Sequence, residues 1–176
     1  AAAALLRDQL RAQNALKKEI DRLVREQLDR GNIPSEYNGT LAWPLAGRIS
    51  QEFGCTGFSW EPPLGDCRHF HRGIDIVDDS GAPVRAAGDG VIVFVGYNPW
   101  DRPGDRAWIV IIAHSSRLVT WYAHLQPRLP SGVYQGASVQ QGQIIGYEGN
   151  TGNSTGPHLH WAVQFDDGWM NPRLFL

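Results

Sequence analysis

A chain of 176 residues with a 42% apolar share can enclose one well-filled core and still have residues left for a helical appendage. Its net charge of −2 comes from interspersed acids and bases, which excludes the basic field that nucleic acid or an acidic membrane surface selects. No apolar run approaches the roughly 18 residues that a bilayer-spanning helix needs.

Ala1 to Ala4 lack a basic leader and a full apolar stretch, so no signal peptide is expected and the chain reads as a mature or truncated form. The spacing predicts a helix over 5–30. Leu6, Leu10, Leu16, Ile20, Leu23, Val24 and Leu28 recur mostly at three- and four-residue steps, and Asp21/Arg25 and Glu26/Arg30 are acid-then-base pairs four apart. Gly31 stands where a helix C-cap belongs, and Pro34 follows. The stripe is close to a heptad but short. It suits packing on the domain, pairing with a partner helix or a second copy, or the end of a longer coiled coil; a solvated spacer with one sticky face is the plainest reading. Residues 1–31 are thus taken as helix, 32–42 as linker and 43–176 as a second unit.

From about Leu41 short β-like runs alternate with Gly, Pro and Asn turns: 48–53, 73–77, 83–86, 90–96, 108–114, 119–124, 143–147 and 160–165. Many short strands without intervening helical pattern predict a mainly β, antiparallel domain behind the N-terminal helix. Three stretches, 54–68, 97–106 and 149–157, are long for such a domain, and loops of that size carry function or shape a cleft. Cys55 and Cys67 lie in the first. They could be zinc thiolates, but no second pair completes a four-thiolate site; a disulfide stapling the loop fits better and implies an oxidising compartment.

The histidines carry the chemistry. His158 and His160, one residue apart at the start of a strand, share a face. His71 and Asp75 also share parity, but a straight strand would hold them about 13 Å apart, too far for one ion, so the chain must bend, with Gly73 the obvious place. Two imidazoles and a carboxylate form a three-ligand set with a position left for water, as a catalytic zinc site requires. His114, ending an apolar run, reads as a satisfied core or edge histidine. His69 reads as a rim residue at most, and Tyr122 as packing or a hydrogen-bond donor at the groove.

His71-x-x-x-Asp75, Tyr122-Ala123-His124-Leu125 and Thr151-Gly152-Asn153-Ser154-Thr155-Gly156-Pro157-His158-Leu159-His160, in that order, resemble the lysostaphin/LytM-type zinc endopeptidases of peptidoglycan; 81–92 and 136–146 match as well. The resemblance implies an antiparallel β-sheet domain (the duplicated hybrid motif) with a narrow groove, and Zn²⁺ held by His71, Asp75 and His160. It places His124 and His158 as catalytic residues facing the attacking water and the scissile amide. It implies a peptide of peptidoglycan as substrate, cleaved at its cross-links by a zinc-activated water, and an extracellular or periplasmic location. Latent members set an upstream Asn on the metal, for which Asn32 and Asn38 are the candidates. The Cys55–Cys67 insertion departs from the simplest members. Two other readings remain: a non-catalytic binding or activator module for cell-wall hydrolases, and a zinc D-Ala-D-Ala carboxypeptidase.

Overall fold

The computed structural model describes all 176 residues, leaving aside the side chains of Leu6 and Gln9; the predicted place of Leu6 in the helical stripe therefore lies outside the described residues. Helix α1 (Ala2–Asp29) is rich in Ala, Leu, Arg, Lys and Gln, all good helix formers. It ends at Gly31, whose φ of +76° is open to glycine without strain. The amide of Asn32 bonds the Gln27 carbonyl and that of Gly31 the Leu28 carbonyl, the double bond of a Schellman C-cap.

The strands are β1 (Arg48–Gln51), β2 (Gly54–Cys55), β3 (Phe70–His71), β4 (Ile74–Val77), β5 (Pro83–Arg85), β6 (Gly90–Tyr97), β7 (Trp108–Ala113), β8 (Leu118–Leu125), β9 (Ser138–Val139), β10 (Ile144–Tyr147), β11 (Leu159–Phe165) and β12 (Gly168–Met170). An eight-stranded antiparallel sheet runs in the order β1-β4-β11-β8-β7-β6-β9, with β12 also paired to β11; β10–β5 and β2–β3 form two small ribbons. The eight longer runs match the sequence pattern to within a residue or two at most ends. The two- and three-residue strands β2, β3, β9 and β12 are too short to show a period. The largest difference at a predicted run is at 48–53, where β1 stops at Gln51.

One face of the sheet buries Ile74, Ile76, Leu159, Trp161, Val163, Leu118, Tyr122, Val110, Ile112 and Ile92 beneath the β10–β5 ribbon and its loops. On the other face Ile20, Leu23 and Val24 of α1 pack against Val91, Val93, Ile109, Ile111 and Val119. The helix therefore covers β6, β7 and part of β8 with its C-terminal half, while Leu5 and Leu10 stay exposed. On that same face β4 and β11 carry Asp75 and His160, both partly buried. No described helix is long and apolar enough to cross a membrane.

Candidate metal centre

Strand alternation sets the first donors. Ile74 and Ile76 of β4 and Leu159 and Trp161 of β11 point into the core, so Asp75 and His160 point out, and the two are direct cross-strand partners. His71 comes from a different ribbon. Between β3 and β4 the chain bends at Arg72–Gly73, as the His-x-x-x-Asp spacing demands, and a Cβ on Gly73 would overlap the Trp161 carbonyl oxygen. Only a glycine lets β4 lie this close to β11.

The three donor atoms then meet. His71 Nε2 is 3.1 Å from Asp75 Oδ1 and 3.2 Å from His160 Nδ1, and His160 Nδ1 is 3.0 Å from Asp75 Oδ1. His71 Nδ1 lies 3.0 Å from the Glu52 carbonyl, which can only accept, so Nδ1 carries the proton and the neutral ring turns its Nε2 lone pair on the other two donors. Lone pairs this close need a cation between them. For bonds of about 2.0–2.1 Å the edge of a zinc tetrahedron is roughly 3.3 Å, close to the spacing found. His71, Asp75 and His160 thus suit a zinc ion, and the Glu52 carbonyl supplies the outer bond that fixes the tautomer of the ligating ring. Without an ion, protons must do the same work. Burial pushes the Asp75 carboxyl up, but hydrogen bonds and charge from His160 and His71 outweigh it and hold the group well below the usual carboxylate range.

Two more imidazoles stand beside this triangle. His158 Nδ1 donates to the Gly156 carbonyl at 2.9 Å, and its Nε2 is 3.8 Å from Asp75 Oδ2. His124 Nδ1 donates to the Thr151 carbonyl at 2.7 Å, leaving its Nε2 as a free acceptor. Its ring centroid is 4.6 Å from that of His158 and 6.2 Å from that of His160. Burial first, and then the charge of His160, pull His124 down to about 4, so the ring is neutral at physiological pH.

His124 reaches this face by breaking the alternation. Trp108 pairs with Leu125 and Val110 with Tyr122, so β8 sets Ala123 and His124 against the single Ile109 of β7, and His124 has φ +66°. Tyr122 and Leu125, three apart, both face the core as a result. With this bulge Tyr122 and His124 face opposite ways, and Tyr122 does not reach the groove: its hydroxyl is buried, accepting from the Ala87 amide and bonded to Thr120. A left-handed non-glycine residue costs on the order of 1–3 kcal/mol, which is a common feature of functional side chains.

The other histidines go elsewhere. His114 is fully buried, its Nδ1 donating to the Asp89 carbonyl at 2.7 Å and its Nε2 2.7 Å from the Thr120 hydroxyl. His69 donates to the Glu61 carbonyl at 2.7 Å and fastens the loop ahead of β3. Asn32 donates to Gln27 at 2.8 Å and belongs to the end of α1. Cys55 and Cys67 form the disulfide, with Cα atoms 5.5 Å apart, and not a thiolate site. Two positioning groups complete the site. Glu52 acts through its backbone, which no side-chain pattern reveals, and Thr151, the first residue of the Thr151–His160 motif, ties His124 through its carbonyl while its hydroxyl bridges the Leu125 carbonyl and the Trp108 amide.

Residues 69–172 match the family model "Peptidase family M23". The chain is 36% identical over 159 residues to the peptidoglycan DD-endopeptidase ShyC of Vibrio cholerae, covering 90% of this chain and 30% of that protein. Among solved structures it is similar to a zinc-containing peptidase from Vibrio cholerae (TM-score 0.62, 28% identity, 77% of this chain and 40% of that one). It is also similar to the catalytic domain of lysostaphin from Staphylococcus simulans (TM-score 0.56, 30% identity, 73% of this chain and 91% of that one). The match over more than half the chain, on the same segment that carries His71, Asp75 and His160, settles the family: this chain belongs to peptidase family M23.

Proposed function

We propose that the chain is a zinc metalloendopeptidase that hydrolyses peptide cross-links of bacterial peptidoglycan in the cell envelope, outside the cytoplasm. The observation that carries this reading is a three-donor set with one open side, flanked by two imidazoles whose Nε2 atoms are not used by the protein backbone. A zinc ion there supplies a Lewis acid that polarises the amide carbonyl and makes water a usable nucleophile near neutral pH. His124, neutral and fixed by Thr151, takes the proton of the attacking water. His158, held by the Gly156 carbonyl with its Nε2 3.8 Å from Asp75 Oδ2, is placed to deliver a proton to the departing amine nitrogen. The Cys55–Cys67 disulfide supports an extracellular or periplasmic setting.

Product analysis on purified sacculi tests the reading. Cross-linked muropeptide dimers converted to monomers with new internal amino termini are expected. Release of free D-Ala would mean a carboxypeptidase, and no change would mean a binding or activator module. Metal analysis separates the roles: His160→Ala should leave the protein without zinc, whereas His124→Ala should keep zinc bound and lose activity by 10²-fold or more, about the size of a general-base contribution.

A further inference from the structure

Resting on the reading of the substrate as peptidoglycan, we infer that Phe58 and Trp60 form a platform for a sugar ring of the glycan strand that carries the cross-link. Their rings stack at 4.5 Å and 16°, yet Trp60 is 67% exposed and Phe58 44% exposed. A stacked pair that leaves an indole face in water is a binding surface awaiting a flat apolar partner.

The pair is held still. The Cys55–Cys67 disulfide and the paired Leu64–Cys67 backbone bonds close the loop beneath it, and the Glu61 amide bonds the Phe58 carbonyl. The next two residues tie the pair to the metal centre: the Glu61 carbonyl accepts from His69 at 2.7 Å and the Pro62 carbonyl from the Phe70 amide at 2.9 Å. His69 and Phe70 immediately precede His71, so Trp60 is fixed relative to a zinc donor. A rigid aromatic surface binds without the ordering cost of a mobile loop.

The loop chemistry selects the occupant. The loop's ionisable residues Glu61 and Asp66 are matched by Arg68 and Arg72 just after it, with Glu61 close enough to act on the Arg72 charge. Opposed in equal number, they leave no net charge to draw an anionic lipid surface or a carboxylate-bearing peptide. An uncharged N-acetylated pyranose, which presents C–H groups to the indole face and hydroxyls to water, needs no such field.

The probe is a soluble, uncharged oligomer of β-1,4-linked N-acetylglucosamine, which presents the N-acetylated pyranose rings of a glycan strand, titrated into the full chain by calorimetry. Binding should weaken at least fivefold in Trp60→Ala and partly recover in Trp60→Phe, while both variants melt with wild type because the ring is exposed. Sacculus digestion by Trp60→Ala should slow by a similar factor, with cleavage of a glycan-free cross-linked peptide dimer unchanged. Glycan binding equal in wild type and Trp60→Ala overturns the inference. So does an equal loss on the peptide dimer, or Trp60-dependent binding to phosphatidylglycerol vesicles in place of glycan. A protein that binds glycan through Trp60 but cleaves neither substrate refutes the proposed activity and leaves the platform standing.

Discussion

A buried histidine and a ligating one solve the same problem, satisfying two nitrogens out of water, in opposite ways. His114 has a carbonyl on one side and a hydroxyl on the other, and the Asp89 charge nearby is too weak to offset its burial. Burial, only partly offset by the Asp89 carbonyl, pulls it down to about 4. Above its ordinary value near 6.5 both folded and unfolded chains hold it neutral; between about 6.5 and 4 the unfolded chain gains a proton that the folded one refuses. His114 is therefore expected to withdraw about 3 kcal/mol of stability as pH falls through that window. Urea unfolding at pH 7 and pH 4.5 checks this, and His114→Gln, which cannot titrate, should flatten the acid slope while lowering stability at pH 7. The apolar run before His114 already marked it as a core residue in the sequence. Of the two places read for Tyr122, packing holds and the groove does not, because an extra residue in β8 turns His124 to the opposite face from Tyr122.

At the scale of elements, two local devices bring His71 to its partners. The first is the absence of a side chain at Gly73. Gly73→Ala forces β4 away from the Trp161 carbonyl, with an expected loss of about 1–3 kcal/mol and a weaker zinc site. Chemical unfolding with and without zinc measures both effects. The second is the stapled loop: cross-linking two cysteines 12 apart restricts the unfolded chain by about 3 kcal/mol on a loop-entropy account. The Cys55→Ser/Cys67→Ser double variant should lose about 2–3 kcal/mol in urea unfolding, with the loss reproduced by reductant in wild type. Gly73 was legible as a bend because the His-x-x-x-Asp spacing cannot close on a straight strand. The ribbon β2–β3 was not, since two-residue strands leave no periodicity to read.

Over the whole molecule, the sheet divides its outer face between a helix and a zinc site. Residues 16–28 of α1 cover β6 to β8, while Asp75 of β4 and His160 of β11 meet His71 of the β2–β3 ribbon beyond the helix. Because an ion would bind only when the His71–Asp75 segment and β11, some 85 residues apart, are folded together, it would report on the β domain. Free zinc at a hundred times its Kd should stabilise the fold by about 2.7 kcal/mol, and a chelator should remove that increment. Differential scanning calorimetry follows the shift, which should be absent in His160→Ala.

The sequence by itself determined the β-rich class and the N-terminal helix with its glycine cap, because residue type, period and spacing are local properties. Its motifs named His71, Asp75 and His160 as the candidate donors through their resemblance to a known family. Tertiary structure alone decided that His71 arrives from a separate ribbon, that a backbone carbonyl at Glu52 sets its tautomer, and that a bulge rotates His124 toward the metal. Each depends on chain segments that touch only after the sheet has closed, and a contact between remote backbones leaves no mark in the order of side chains.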